Sequence, residues 1–144
     1  MTALEKMRTF IQSYPGYASF SEFRIDYTDQ VPANAGLFPS GLVEVERHRD
    51  ILGHGSVTNQ YNFALYCVFP KPAGDDVTGA INADWVMDFQ EWVQEQSVAG
   101  KAPVFGDDPR QERVTAQNGV LYAADGEGLA LYSVQISVRY IKNF

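Results

Sequence analysis

The chain of 144 residues is short of almost everything that chemistry is usually built from. It has one cysteine and two histidines, and only 11 Lys and Arg against 18 Asp and Glu. A single thiol excludes an internal disulfide. Cys67 lies in Ala64-Leu65-Tyr66-Cys67-Val68-Phe69. Reactive thiolates need electropositive, partly exposed surroundings, so this one reads as a packed side chain. Two histidines, His48 and His54, with one cysteine fall short of a zinc site unless carboxylates help at spacings not found here. A net charge of −7 repels phosphate backbones and disfavours a nucleic-acid reader, although DNA could still slide past such a surface. No apolar run approaches the roughly 18 residues of a membrane helix; the longest, Phe63 to Phe69, is strand-length. The N-terminus carries Glu5, Lys6 and Arg8 inside an amphipathic pattern, not the apolar block of a signal peptide. A cytoplasmic protein is expected unless another protein carries it out.

What the sequence does have is core-forming material, 45% hydrophobic and 13% aromatic, enough for one domain spanning 1–144. A helix is predicted over 2–14, with Thr2 as N-cap, Glu5 as its capping-box partner and a stripe of Leu4, Met7, Phe10, Ile11 and Tyr14. Pro15-Gly16 ends it. Glu22 to Tyr27 alternates as a strand with Phe23, Ile25 and Tyr27 on one face. Residues 28–41 read as a loop, with a short extended piece at Gly36-Leu37-Phe38. Leu42 to Asp50 reads as a strand with Val43 and Val45 opposite Glu44, Glu46 and His48, and Ile51 to Gly55 as a turn. Ser56 to Phe69 is the strongest strand of the first half, aligning Val57, Tyr61, Phe63, Leu65, Cys67 and Phe69 until Pro70 and Pro72 stop it.

After a polar loop at 71–79, a helix is expected from about Ala80 or Asn82 to Val98, closed by Gly100. Its stripe is Ile81, Trp85, Phe89, Trp92, Val93 and Gln96, and its other side carries Asp84, Asp88, Glu91 and Glu95. A loop at 101–109 leads to strands over Arg113 to Ala123 and Leu129 to Ile141, joined by the turn signal Asp125-Gly126-Glu127-Gly128. The last strand puts Ala130, Tyr132, Val134, Ile136, Val138 and Tyr140 on one face and Ser133, Gln135, Ser137 and Arg139 on the other. The expected fold is α+β, a mainly antiparallel twisted sheet with two amphipathic helices packed on one face.

Each apparent motif fails a physical test. His48-Arg49-Asp50-Ile51-Leu52 spells part of a kinase catalytic loop, but the chain is too short for that fold and lacks its glycine-rich and metal-binding segments. Gly53-His54-Gly55 lies between two strands, so no helix N-terminus stands by to hold a phosphate. Asp75-Asp76, Asp107-Asp108 and Asp125-Gly126-Glu127 read as solvated turns; the last is too short for a calcium loop. Neither a Walker loop nor Gly-x-Ser-x-Gly occurs. No catalytic residue, cofactor or metal is assigned, and only a carboxylate pair converging in space would change that.

The run from Asp88-Phe89-Gln90-Glu91-Trp92-Val93 to Ser97, then Gly100-Lys101-Ala102-Pro103, carries a resemblance. So do Gly119-Val120-Leu121-Tyr122, the acidic Asp-Gly turn and the strand Ala130 to Ile136. The chain resembles the minor capsid or tail-terminator proteins of the head–tail joining region in long-tailed phages and prophages. The likeness is firmest over 80–140 and also takes in the helix Leu4 to Ile11, while Val31 to Gly55 matches nothing in the pattern. It implies a non-enzymatic virion protein forming a ring, usually of six copies, at the end of the tail tube. Such a protein assembles in the bacterial cytoplasm and meets itself, the major tail tube protein and the head connector, while DNA passes without sequence-specific binding. Some members of the family carry a drug-resistance label, which nothing in these residues supports. An acidic lumen would ease DNA transit; Glu44, Glu46, Asp107, Asp108 and Glu112 are the candidate lumen or interface residues, against the plainer reading of solvated surface. The loops at 28–41, 70–79 and 101–109 could reach neighbours. The alternative is a small soluble ligand-binding or interaction domain with a cleft between sheet and helix, for which Tyr61, Tyr132 and Trp92 are the candidate lining, against a role in the core.

Overall fold

The computed structural model describes residues 2–16, 22–25, 34–70, 76–124 and 129–144. The element order is α1 (Ala3–Gln12), β1 (Glu22–Ile25), β2 (Asn34–Arg49), β3 (Gly55–Pro70), α2 (Asp76–Val98), β4 (Arg113–Ala124) and β5 (Leu129–Asn143), with a 3-10 turn at Pro109–Gln111 before β4. The strands form one sheet in the order β1-β2-β3-β5-β4. All neighbours are antiparallel except β1 and β2, which run parallel over Glu22–Ile25 and Asn34–Leu37. The fold is α+β, with both helices on one face of the sheet.

The α1 start obeys local rules. Thr2 Oγ1 accepts from Glu5 N–H at 3.2 Å and the Glu5 carboxylate accepts from Thr2 N–H at 3.3 Å, a closed capping box. The helix is shorter than predicted, and Tyr14 packs just beyond it. α2 begins at Asp76 rather than near Ala80. Its inward stripe also differs: Val86, Phe89 and Val93 are buried, whereas Ile81, expected inside, is 62% exposed. Trp85 and Trp92 flank that stripe, half-buried, Trp92 against Phe10 of α1 and Trp85 against Tyr14 just beyond it. The Phe10 ring lies 4.9 Å from Trp92, and the Tyr14 ring meets Phe89 edge-on at 5.1 Å. The aromatic excess is thus spent on joining the two helices.

Beneath them, Leu37 of β2, Phe63, Leu65 and Cys67 of β3, Val114 of β4 and Val134, Ile136 and Val138 of β5 complete one buried cluster. β3 and β5 pair residue for residue from Ser56–Asn143 to Pro70–Leu129, so their alternation reaches the core intact. The Cys67 side chain is wholly buried, and burial pushes its thiol well above the ordinary range. That is the packed thiol expected.

The larger revision is β2. The expected loop at 28–41 and the strand at Leu42 to Asp50 meet in one 16-residue strand from Asn34 onward. Two features that read as loop signals, Pro39 and Gly41, sit at a bulge where pairing shifts between them, and Gly41 takes φ +116° there. A second shift, between Glu44 and Glu46, turns the alternation over, so Glu44 pairs with Asn59 and Glu46 with Thr58. Val43 and Val45, expected on one face, are both exposed. Ile51 to Gly55 is the predicted turn: the Asp50 carboxylate accepts from Leu52 N–H and His54 N–H, and Gly53 takes φ +86°. Tyr27, residues 28–33 and 71–75, the turn Asp125–Gly128 and the facing of Phe23 and Ile25 lie outside the described residues.

Candidate functional site

The helix layer ends before the sheet does, and three features gather on the part it leaves bare. The first is the distal half of the β2–β3 hairpin, from about Leu42 through the turn to Ser56. Leu42 is 55% exposed, Leu52 77% and Ile51 fully so. Beyond Leu37, the outer edge of β2 has no strand partner among the described residues. The bulges, Pro39 and the charges on β2 are the usual means of blunting a free edge against stray strand addition. Contacts made here would therefore run through side chains.

The second feature is the loop before β4. Glu112, only 8% exposed, folds under it: Oε1 accepts from Phe105 N–H at 3.0 Å and from Gly106 N–H at 2.7 Å. Its Oε2 is buried with no hydrogen-bond partner among the described residues. Burial raises the Glu112 carboxyl above the ordinary range, and the two backbone donors oppose that shift. A Cβ at Gly106 would run into the Ile141 carbonyl, so only glycine lets the loop lie this close to β5. Asp107 N–H then donates to Ile141 O at 3.0 Å and Asn143 N–H to Asp107 Oδ2 at 2.7 Å. The loop continues the sheet edge where β4 has not yet begun.

The third is the face of the sheet turned away from the helices. A row of side chains crosses it at Val43, Gln60, Arg139 and Arg113 on β2, β3, β5 and β4. Arg139 Nη2 donates to Gln60 Oε1 at 3.0 Å, while Ser137 Oγ and Gln60 Nε2 both donate to Asn62 Oδ1. A groove of about 680 Å³ runs from this corner to α2, with Arg113, Arg139, Thr115 and Gln117 on one side and Gln90, Glu91 and Gln94 on the other. Along it α2 seals the outer edge of β4: Gln90 Nε2 donates to Ala116 O and Val114 N–H donates to Ser97 Oγ, both at 3.2 Å. From Val114 to Ala116 that edge is closed to strand addition.

The sequence-predicted acids do not converge. Glu44 accepts both Arg47 bonds, at 2.6 and 3.0 Å, and Arg47 holds its carboxyl below the usual range. Glu46 faces the other side of β2 and meets His48 at 2.8 Å. Asp108 accepts from Arg110 N–H and Arg110 Nε, which lowers its carboxyl, and Asp107 is tied to Asn143 across the sheet. Glu112 is corrected outright: a buried carboxylate bracing a loop cannot line a lumen. Its signal in the sequence, an acid directly before an alternating strand, gave no hint of burial.

Tyr61, Tyr132 and Trp92 do not line a cleft either. Tyr132 is a buried member of the core cluster, and Tyr61 and Trp92 are packed against it. Among the described residues no three His, Cys, Asp or Glu side chains come together as a metal site would need, and no helix is long and apolar enough to cross a membrane. Sequence reasoning missed the Arg113–Arg139 pair, since two residues 26 positions apart become neighbours only through the β4–β5 register. In comparison with known proteins, the chain matches no family model and no curated protein.

Proposed function

We propose that this chain is a non-enzymatic assembly protein of a long-tailed phage or prophage, a tail terminator or head–tail joining component acting as a ring of six copies. In this reading it is built in the bacterial cytoplasm and ends in the virion neck, between the major tail tube protein and the head connector, with DNA threading the ring. The text of α2 and the β4–β5 hairpin supports it by resemblance. The observation that carries it furthest is the uncovered distal half of β2 with its turn, where Leu42, Val43, Val45, Ile51 and Leu52 are all exposed. Scattered exposed apolar residues are ordinary, but a set gathered along one strand and its turn marks a place where another protein sits. Of the acids considered for the lumen, Glu44, Glu46, Asp107 and Asp108 stay at the surface and retain that role here; Glu112 does not.

Negative-stain electron microscopy of the purified protein, alone and with phage tail tubes, tests the reading. Rings of uniform diameter, free or capping tube ends, are expected. A protein that forms no ring in solution and leaves tube ends bare sinks it.

A further inference from the structure

Arg113 and Arg139 stand directly opposite each other on β4 and β5, both exposed, on the sheet face turned away from the helices. Like charges in that position repel and weaken a strand pair. Nothing among the described residues relieves them. Arg139 has only the neutral Gln60 amide, Arg113 has no ion pair, and Glu91 lines the same groove without forming one with either. Arg110, partnered with Asp108, adds a third guanidinium beside them, along the groove lined by Thr58, Arg113, Arg139 and Ile141.

The complement lies along the outward side of α2, which borders the same groove. α2 contains no Lys or Arg. Asp84, Glu91 and Glu95 fall on its outward side, where Met87 and Val98 are also exposed. An acidic stripe with apolar residues among its carboxylates suits guanidinium groups, which pair with carboxylates while laying their stems on apolar surface.

We propose that the Arg113–Arg139 corner of one copy receives the outward α2 stripe of a second copy, Asp84 and Glu95 being the carboxylates that meet it. This rests on the assembly reading and gives it a contact. The two surfaces are unlike, and Glu91 and Val98 of the stripe border the arginine groove within each copy. The contact is therefore head-to-tail, the kind that closes into a ring when each copy is rotated against the last.

Sedimentation velocity of three proteins at low salt tests it: the natural chain, Arg139→Glu, and a double variant carrying Asp84→Arg and Glu95→Arg. The natural chain self-associates, more weakly as salt rises. Each variant alone places like charges on both surfaces, so association falls about tenfold or more. Mixed one to one, the variants carry complementary surfaces again and assembly returns. Arg113→Gln, which removes a charge without reversing it, weakens association to a smaller degree. Thermal midpoints matching the natural chain certify that the exposed substitutions leave the fold intact. If the natural chain assembles and either variant does so equally well, or if the mixture stays monomeric, this contact is wrong while the ring stands. A natural chain that stays monomeric at every concentration overturns this contact, and the ring falls with it when tube ends also stay bare.

Discussion

The two ends of this sheet are built from the same strands and treated in opposite ways. At one end β3 and β5 are covered by α1 and α2, and every second side chain lands in a layer of Phe, Trp and Tyr. At the other, β2 and β3 run on past the last helical cover with Leu42, Val43 and Val45 in solvent. Strand propensity is similar at both ends, but the second layer differs and two bulges interrupt the alternation of β2. Alternation therefore reports that a face is available for burial, and the helices decide whether burial happens within the chain. Apolar residues held in strand geometry and left uncovered are material for contact with another protein.

If the covered end carries the stability, removing its central ring should do the most damage. Phe89 is fully buried and touches Tyr14, Trp85 and Trp92. Phe89→Ala should cost about 3–5 kcal/mol, from lost burial and the cavity left behind. Urea unfolding followed by tryptophan fluorescence measures it, and a loss under about 1 kcal/mol would mean the core is centred elsewhere.

The seam between α2 and β4 ranks next. Asn118 takes φ +55° and Gly119 follows it at the shift in pairing between Gln117 and Val120. A Cβ at Gly119 would press into Val86 and the Gln90 side chain, the residue that holds Ala116 O. Gly119→Ala should cost about 1–3 kcal/mol through overpacking. Gln90→Ala, which only frees that carbonyl, should cost about 1 kcal/mol. Equal midpoints for Gly119→Ala and the natural chain would mean that the helix stands off the strand.

Glu112 sharpens the comparison through pH, because it is the buried acid nearest the bare end. Its folded carboxyl titrates above the ordinary value, burial being the main cause. The folded state then binds a proton more readily than the unfolded chain. The stabilisation is fully present at pH values below the ordinary carboxyl range and is lost as pH rises through the raised folded value. Relative to Glu112→Gln, the natural chain should gain stability as pH falls from 8 toward about 4.5, the usual glutamate value. Urea midpoints of the two proteins across that range give the test; curves that stay parallel would remove the effect.

How far the sequence foretold these regions follows from the same division. Where both partners alternate without interruption, as Ser56 to Phe69 and Leu129 to Ile141 do, periodicity located the strands and their buried faces. It erred where local chemistry met tertiary context. Pro39 and Gly41 read as loop residues, yet a sheet absorbs them at a bulge, and only the presence of β3 alongside makes that geometry worthwhile. Ile81 fitted a helical stripe of the right period, but the tryptophans turn toward Phe10 and Tyr14 while the buried side runs through Val86. Of the acids proposed for a shared site, spacing could not tell that Glu112 folds under its own loop. Nor could it show that Arg113 meets Arg139, since cross-strand register is set by pairing across the hairpin.

The smallest expected effect on stability separates the two ends most directly. Ile51→Ser and Leu52→Ser alter side chains at the tip of the β2–β3 hairpin, where Asp50 fixes the turn through its carboxylate and backbone rather than through either neighbour's side chain. Each should shift unfolding free energy by no more than about 0.5 kcal/mol, as exposed substitutions do. If the distal half of the hairpin is an assembly surface, the same pair should nonetheless weaken self-association or tube capping in sedimentation and microscopy. A substitution that destabilises the monomer as much as a core change would show that the tip packs within the chain. One that leaves both stability and assembly untouched would strip the hairpin of its role and move the contact to the arginine corner alone.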